Sequence, residues 1–122
     1  MKTVEEWKSV LRAALKDAMR ERSTAKTAVL RETLAAIDNA EAAEVSTAPA
    51  VQHGVIAGGV AGLGAGEVAR RSLAPEQVRA IIEREVAEKR EAQATYARLE
   101  KHEQAQILGM QAEVLAALLS AS

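Results

Sequence analysis

Apolar residues recur along this chain at three- and four-residue steps, the spacing of a helix with one buried face. Val4, Trp7, Leu11, Ala14, Leu15, Ala18 and Met19 mark a first helix over residues 4 to about 22. Val29, Leu30, Leu34, Ile37 and Ala40 mark a second over about 24–44. Ser23 lies between them, where its hydroxyl can end one helix or cap the next. So short a junction predicts a helical hairpin. A third helix starts at Pro75, whose missing N–H costs nothing in a first turn. Leu73 and Val78 flank that start at hydrophobic-staple positions. Its apolar side is Val78, Ile81, Ile82, Val86, Ala92, Tyr96 and Leu99. After the polar break at Lys101-His102-Glu103, a fourth helix over about 104–119 carries Ile107, Leu108, Ala112, Val114, Leu115, Leu118 and Leu119. Gly109 weakens that helix by roughly the 1 kcal/mol that Gly costs against Ala.

The pattern predicts an all-α fold: two antiparallel hairpins, residues 1–45 and 73–122, joined by a Gly-rich connection over 46–72 in a single domain. Leu11, Leu15, Leu34, Ile37, Ile82, Val86, Leu115 and Leu118 are the expected core. Composition agrees. There are 27 alanines, one Trp, one Tyr and no Phe among 122 residues, and alanine favours helices whereas strands want β-branched and aromatic residues.

The connection is the chain's odd stretch. Residues 45–66 contain no Lys, Arg, Asp or Glu, and Gly54, Gly58, Gly62 and Gly66 recur every four. That is a small-residue packing pattern of membrane helices, but Ser46, Thr47, Pro49, Gln52 and His53 leave too short an apolar run to span a bilayer. The composition predicts a mobile connection. Gly64-Ala65-Gly66-Glu67-Val68-Ala69 fits a dinucleotide fingerprint in letters only, since no strand precedes it.

Chemistry-bearing motifs are scarce. The absence of cysteine excludes disulfides, thiolate metal sites and a thiol nucleophile. His102-Glu103 opens like a zinc-hydrolase motif, but Gln106 stands where the second histidine must be. No nucleophile elbow or phosphate loop occurs. The acids of the third helix alternate with bases (Arg84/Glu88, Glu85/Lys89) and read as a solvated, salt-laced face. These residues predict no catalytic site, no metal site and no cofactor. The acidic start, Met1 to Trp7, gives no signal-peptide pattern, so a cytoplasmic location with no membrane contact is expected.

Charge is distributed unevenly. Residues 1–37 carry net +3 and residues 38–122 net −4, summing to the −1 of the whole. Lys8, Arg12, Lys16 and Arg20, spaced by four, form a basic stripe beside the first apolar face, with Arg31 nearby on the second helix. Such a stripe suits phosphates or an acidic partner; alternatively its long stems only cover the rim of the core.

Leu15 to Arg22, Val29-Leu30-Arg31 and Ala35 to Glu41 resemble the first two helices of the GatB/YqeY family. That family is named for YqeY proteins and for the tail of the B subunit of the glutamine-dependent tRNA amidotransferase. Arg71 to Val78 is similar to its Arg-x-Leu-Thr helix start, Arg84 to Ala92 to its third helix, and Gln111 to Leu119 to the end of its fourth. The connection is longer here, and Glu100-Lys101-His102 replaces a Gly-Arg turn. The chain would be a short form lacking the family's C-terminal subdomain. The resemblance implies an accessory domain associated with tRNA or with an amidotransferase complex. Its link is to carbon–nitrogen ligation with glutamine as the amido donor, and no catalytic residue carries over. The other reading is a helical module for protein interaction or homo-oligomerisation, docking through its Ala-rich faces.

Overall fold

The computed structural model describes residues 1–46 and 73–121. These residues form four helices, α1 (Val4–Arg20), α2 (Thr24–Ser46), α3 (Pro75–Arg98) and α4 (His102–Ser120), with no strand among them. α1 pairs with α2 and α3 with α4, and α2 also packs against both helices of the second hairpin. The described residues form two helical hairpins, as the apolar spacing predicts. The Gly-rich connection, residues 47–72, lies outside the described residues, and so do its predicted mobility and its motif candidates.

Local chemistry fixes the helix ends. Thr3 accepts from the Glu6 N–H at 3.2 Å while the Glu6 carboxylate accepts from the Thr3 N–H at 2.9 Å, so two of the four orphan donors of α1 are satisfied reciprocally. At the other end the Ser23 N–H reaches the Ala18 carbonyl and the Arg22 N–H reaches Met19, a Schellman closure. That closure needs a left-handed residue, and Arg22 takes it at φ 57°. Ser23 then caps α2, its hydroxyl accepting from the Lys26 N–H at 3.2 Å. One serine thus ends one helix and starts the next. α3 closes the same way, Lys101 N–H to Tyr96 and Glu100 N–H to Ala97, with Glu100 left-handed at φ 62°. The start of α3 is half capped. Gln77 accepts from the Ala74 N–H at 2.7 Å, but Ala74 has no side chain to return the bond.

The core gathers Val4, Trp7, Leu11 and Ala18 of α1, Val29, Leu30 and Ile37 of α2, the flanking Leu73, Val78 and Ile82 of α3, and Leu115 of α4. Of the expected core, Leu11, Ile37, Ile82 and Leu115 are buried, whereas Leu15, Leu34, Val86 and Leu118 lie at its edge, half-buried. Met19, Leu99 and Ile107, placed on apolar faces by their spacing, are exposed instead. The Trp7 indole is fully buried, and its Nε1–H has no partner among the described residues. Burying about 200 Å² of indole contributes about 5 kcal/mol, more than the about 1–3 kcal/mol an unsatisfied donor costs. Thr33, also fully buried, donates its hydroxyl to the Val29 carbonyl at 2.7 Å.

Two polar contacts set the register between the hairpins. Gln111 of α4 donates to the Ala25 carbonyl of α2 at 2.9 Å, and Lys89 of α3 meets Glu32 of α2 at 2.9 Å. From these points α3 runs on to Leu99 and α4 back to Lys101, about 15 Å of helix each. The core cluster takes no residue from 92–110. The tip of the α3–α4 hairpin is thus a two-helix arm outside the shared core, with Ala105 as its buried residue. Gly109 sits on this arm. A Cβ there would stand 2.6 Å from the Gln93 amide nitrogen, so the Gln93 side chain of α3 fills the space this glycine leaves.

Candidate functional site

The α1 stripe does not behave as one unit. Lys8 is nearly covered, and its ammonium meets Glu41 and Asp38 of α2, the latter at 3.2 Å. The hydrogen bond to Glu41 is the main reason its pKa rises above the usual lysine value. Lys8 is a seam residue whose charge is already neutralised. Arg20 makes an exposed ion pair with Asp17 at 3.4 Å, a contact worth little in water. Arg12 and Lys16 are exposed and make no ion pair among the described residues.

The α1–α2 turn extends this surface. Arg31 lies against the Met19 sulfur at 4.0 Å, so it meets α1 at the stripe's C-terminal end. Positions 8, 12 and 19 share one flank of α1, and both ends of that flank touch α2. Arg12 therefore lies along the outer α1–α2 seam, with Lys16 one turn outward. Beside the turn, Met19, Arg22, Ser23, Thr24, Thr27, Ala28 and Arg31 line an open groove of about 430 Å³. Spacing along the sequence does not single out Arg22. It enters the surface because the Schellman turn swings it there, and a basic residue just beyond a four-step basic stripe was the available signal.

Most other cations of the described residues are paired with acids, although Lys2 lies over the Trp7 ring, Arg98 bonds the Thr95 hydroxyl and Lys101 meets no acid among the described residues. Arg79 pairs with Glu83, Arg84 with Glu88, Lys89 with Glu32, Arg90 with Glu113 and Lys26 with Glu21. The salt-laced reading of α3 holds for Arg84/Glu88, whereas Lys89 reaches across to α2 instead of to Glu85. Glu85 is half-buried, and burial, aided by the neighbouring Glu88, raises its pKa above the usual carboxylate value.

His102 is exposed at the first residue of α4, and His53 lies outside the described residues. Among the described residues no group of His, Asp and Glu side chains could hold a metal, and no helix is long and apolar enough to cross a membrane. Set against family descriptions, curated proteins and solved structures, the chain finds no match.

Proposed function

We propose that this protein is a helical accessory domain that holds a polyanion against the α1–α2 seam, tRNA in the reading its GatB/YqeY resemblance implies. One observation carries the proposal: Arg12, Lys16, Arg22 and Arg31 border one seam and have no acidic partner among the described residues. Guanidinium and ammonium groups so placed follow a phosphate backbone without reading bases. The domain brings no catalytic group of its own in this reading. Carbon–nitrogen ligation, with glutamine as donor, belongs to the enzyme it accompanies.

Binding is then weak, tolerant of tRNA identity and steeply salt-dependent. Four phosphate contacts give a log–log salt slope of about −3 to −4. The test is a tRNA titration at several salt concentrations of the wild type, a variant with Arg12, Lys16, Arg22 and Arg31 changed to Gln, and Lys8→Gln. The quadruple variant loses the slope, while Lys8→Gln keeps it because that charge is spent on Glu41 and Asp38. If quadruple variant and wild type bind alike, or neither binds at low salt, the seam is a solvated rim and the proposal fails.

A further inference from the structure

Resting on the polyanion reading above, we infer that the groove beside the α1–α2 turn seats an unpaired nucleotide, so that the nucleic acid held along the seam is single-stranded at this point.

The groove joins chemistries that a bare phosphate backbone does not use together. Arg22 and Arg31 supply cations, and none of the lining residues is acidic. Met19 and Ala28 supply an apolar wall, and both lie in the open, Met19 at 51% exposure despite its core-type spacing. Thr24 and Thr27 supply hydroxyls that meet no partner among the described residues. Thr33 and Thr95, by contrast, turn theirs back onto the carbonyl four residues earlier, at 2.7 and 3.1 Å, the usual resting place of a threonine inside a helix.

A nucleotide asks for all of these at once. Its phosphate takes guanidinium groups, its base offers a flat π-face, and its ribose and base edge exchange hydrogen bonds with hydroxyls. The Met19 sulfur meets the Arg31 guanidinium at 4.0 Å, which ties a planar cation to the apolar wall, and unstacked bases lie on Arg planes as they do on aromatic rings. The groove's volume of about 430 Å³ is at the lower end of the range for small-ligand sites. Arg12 and Lys16, one turn apart on α1, then take neighbouring phosphates of the same strand. A duplex keeps its bases stacked and paired, so it reaches the seam with its phosphates but leaves the groove empty. An acidic peptide matches the cations but not the apolar wall.

The experiment is a fluorescence-anisotropy titration of the full chain at low salt. Its probes are labelled oligouridine, which does not pair with itself, an abasic strand of the same length, a blunt RNA duplex and polyglutamate. Oligouridine and the abasic strand carry the same phosphates, so the ratio of their affinities reads the base alone. The expected preference for oligouridine is about fivefold, the lower end of what a stacked base gives. Oligouridine also binds more tightly than the duplex, although counterion release per contact favours the duplex. Met19→Ala removes the wall and Ala28→Gln fills the groove without adding charge, and each abolishes the preference over the abasic strand. Both positions are exposed, so helical circular dichroism stays unchanged. Met110→Ala, at an exposed methionine of α4, keeps the preference. A wild type without the preference, duplex or polyglutamate binding as tightly as oligouridine, or a preference that survives Met19→Ala and Ala28→Gln overturns the inference and leaves the polyanion reading standing. If none of the nucleic-acid probes binds, both fall together.

Discussion

Replacing Glu100 by glycine isolates the strain built into the second hairpin turn. Glu100 closes α3 in the left-handed conformation at φ 62°, where a Cβ crowds the following carbonyl at a cost of about 1–2 kcal/mol. Glycine removes that crowding but brings about 0.4–1 kcal/mol of extra unfolded-state entropy to be lost on folding. The net relief is about 0.8 kcal/mol. A carboxylate at a helix C-terminus also opposes the helix dipole, so its removal adds about 0.3 kcal/mol at so exposed a position. Glu100→Gly therefore stabilises the protein by about 1 kcal/mol, a rise in Tm of about 3–6 °C at this chain length. Thermal and urea unfolding followed by circular dichroism measure it, and Glu100→Gln serves as the control that removes charge but keeps the Cβ. Arg22→Gly relieves the same strain at φ 57° yet gives up a cation that the dipole favours, so its gain is smaller by about 0.6 kcal/mol. If Glu100→Gln stabilises as much as Glu100→Gly, charge and not backbone strain governs the turn, and the reasoning is wrong.

Three further outcomes follow from the described contacts. Ile82→Ala, at a fully buried site, costs about 2–5 kcal/mol in urea denaturation; a loss below 1 kcal/mol would mean the core collapses around the gap. Ala74→Ser completes the capping box that Gln77 half makes and raises stability by about 0.5–1 kcal/mol, read as a higher urea midpoint with an unchanged slope. The Thr3 N–H holds the Glu6 pKa below its usual value of 4.5, so the stabilisation from its carboxylate is complete above that value and is lost as pH falls through the depressed one. A Tm–pH profile of Glu6→Gln lacks this acid-side loss, and parallel profiles for the two proteins would count against the capping role.

Much of the fold is legible in the sequence because its signals are local. Pro75, Ser23 and the staple pair Leu73/Val78 act within one turn of themselves, so helix starts and ends fall within two residues of the pattern. What the sequence hides is the contact between distant helices. Lys8 belongs by spacing to a basic stripe, but Asp38 and Glu41, some thirty residues on, withdraw its charge. Arg22 joins the candidate surface only through the turn's backbone. Leu99 and Ile107 have core spacing and lie in water, because periodicity fixes which face is apolar and not how far the neighbouring hairpin reaches along it. Gly109 reads as a weak point of α4, whereas the space it leaves is taken by Gln93 of the partner helix.

The lone tryptophan and the lone tyrosine fall on opposite sides of the boundary between body and arm. Trp7 is sealed in the core with Lys2 5.3 Å above its ring, while Tyr96 sits on the arm, half-buried. The chain thus carries two native optical probes, each reporting a different region. If body and arm unfold as one cooperative unit, indole emission and phenol absorbance change together on heating. If the arm frays first, the tyrosine signal moves at lower temperature while the tryptophan stays blue-shifted, and the separation between the two curves measures how weakly the arm is coupled to the rest.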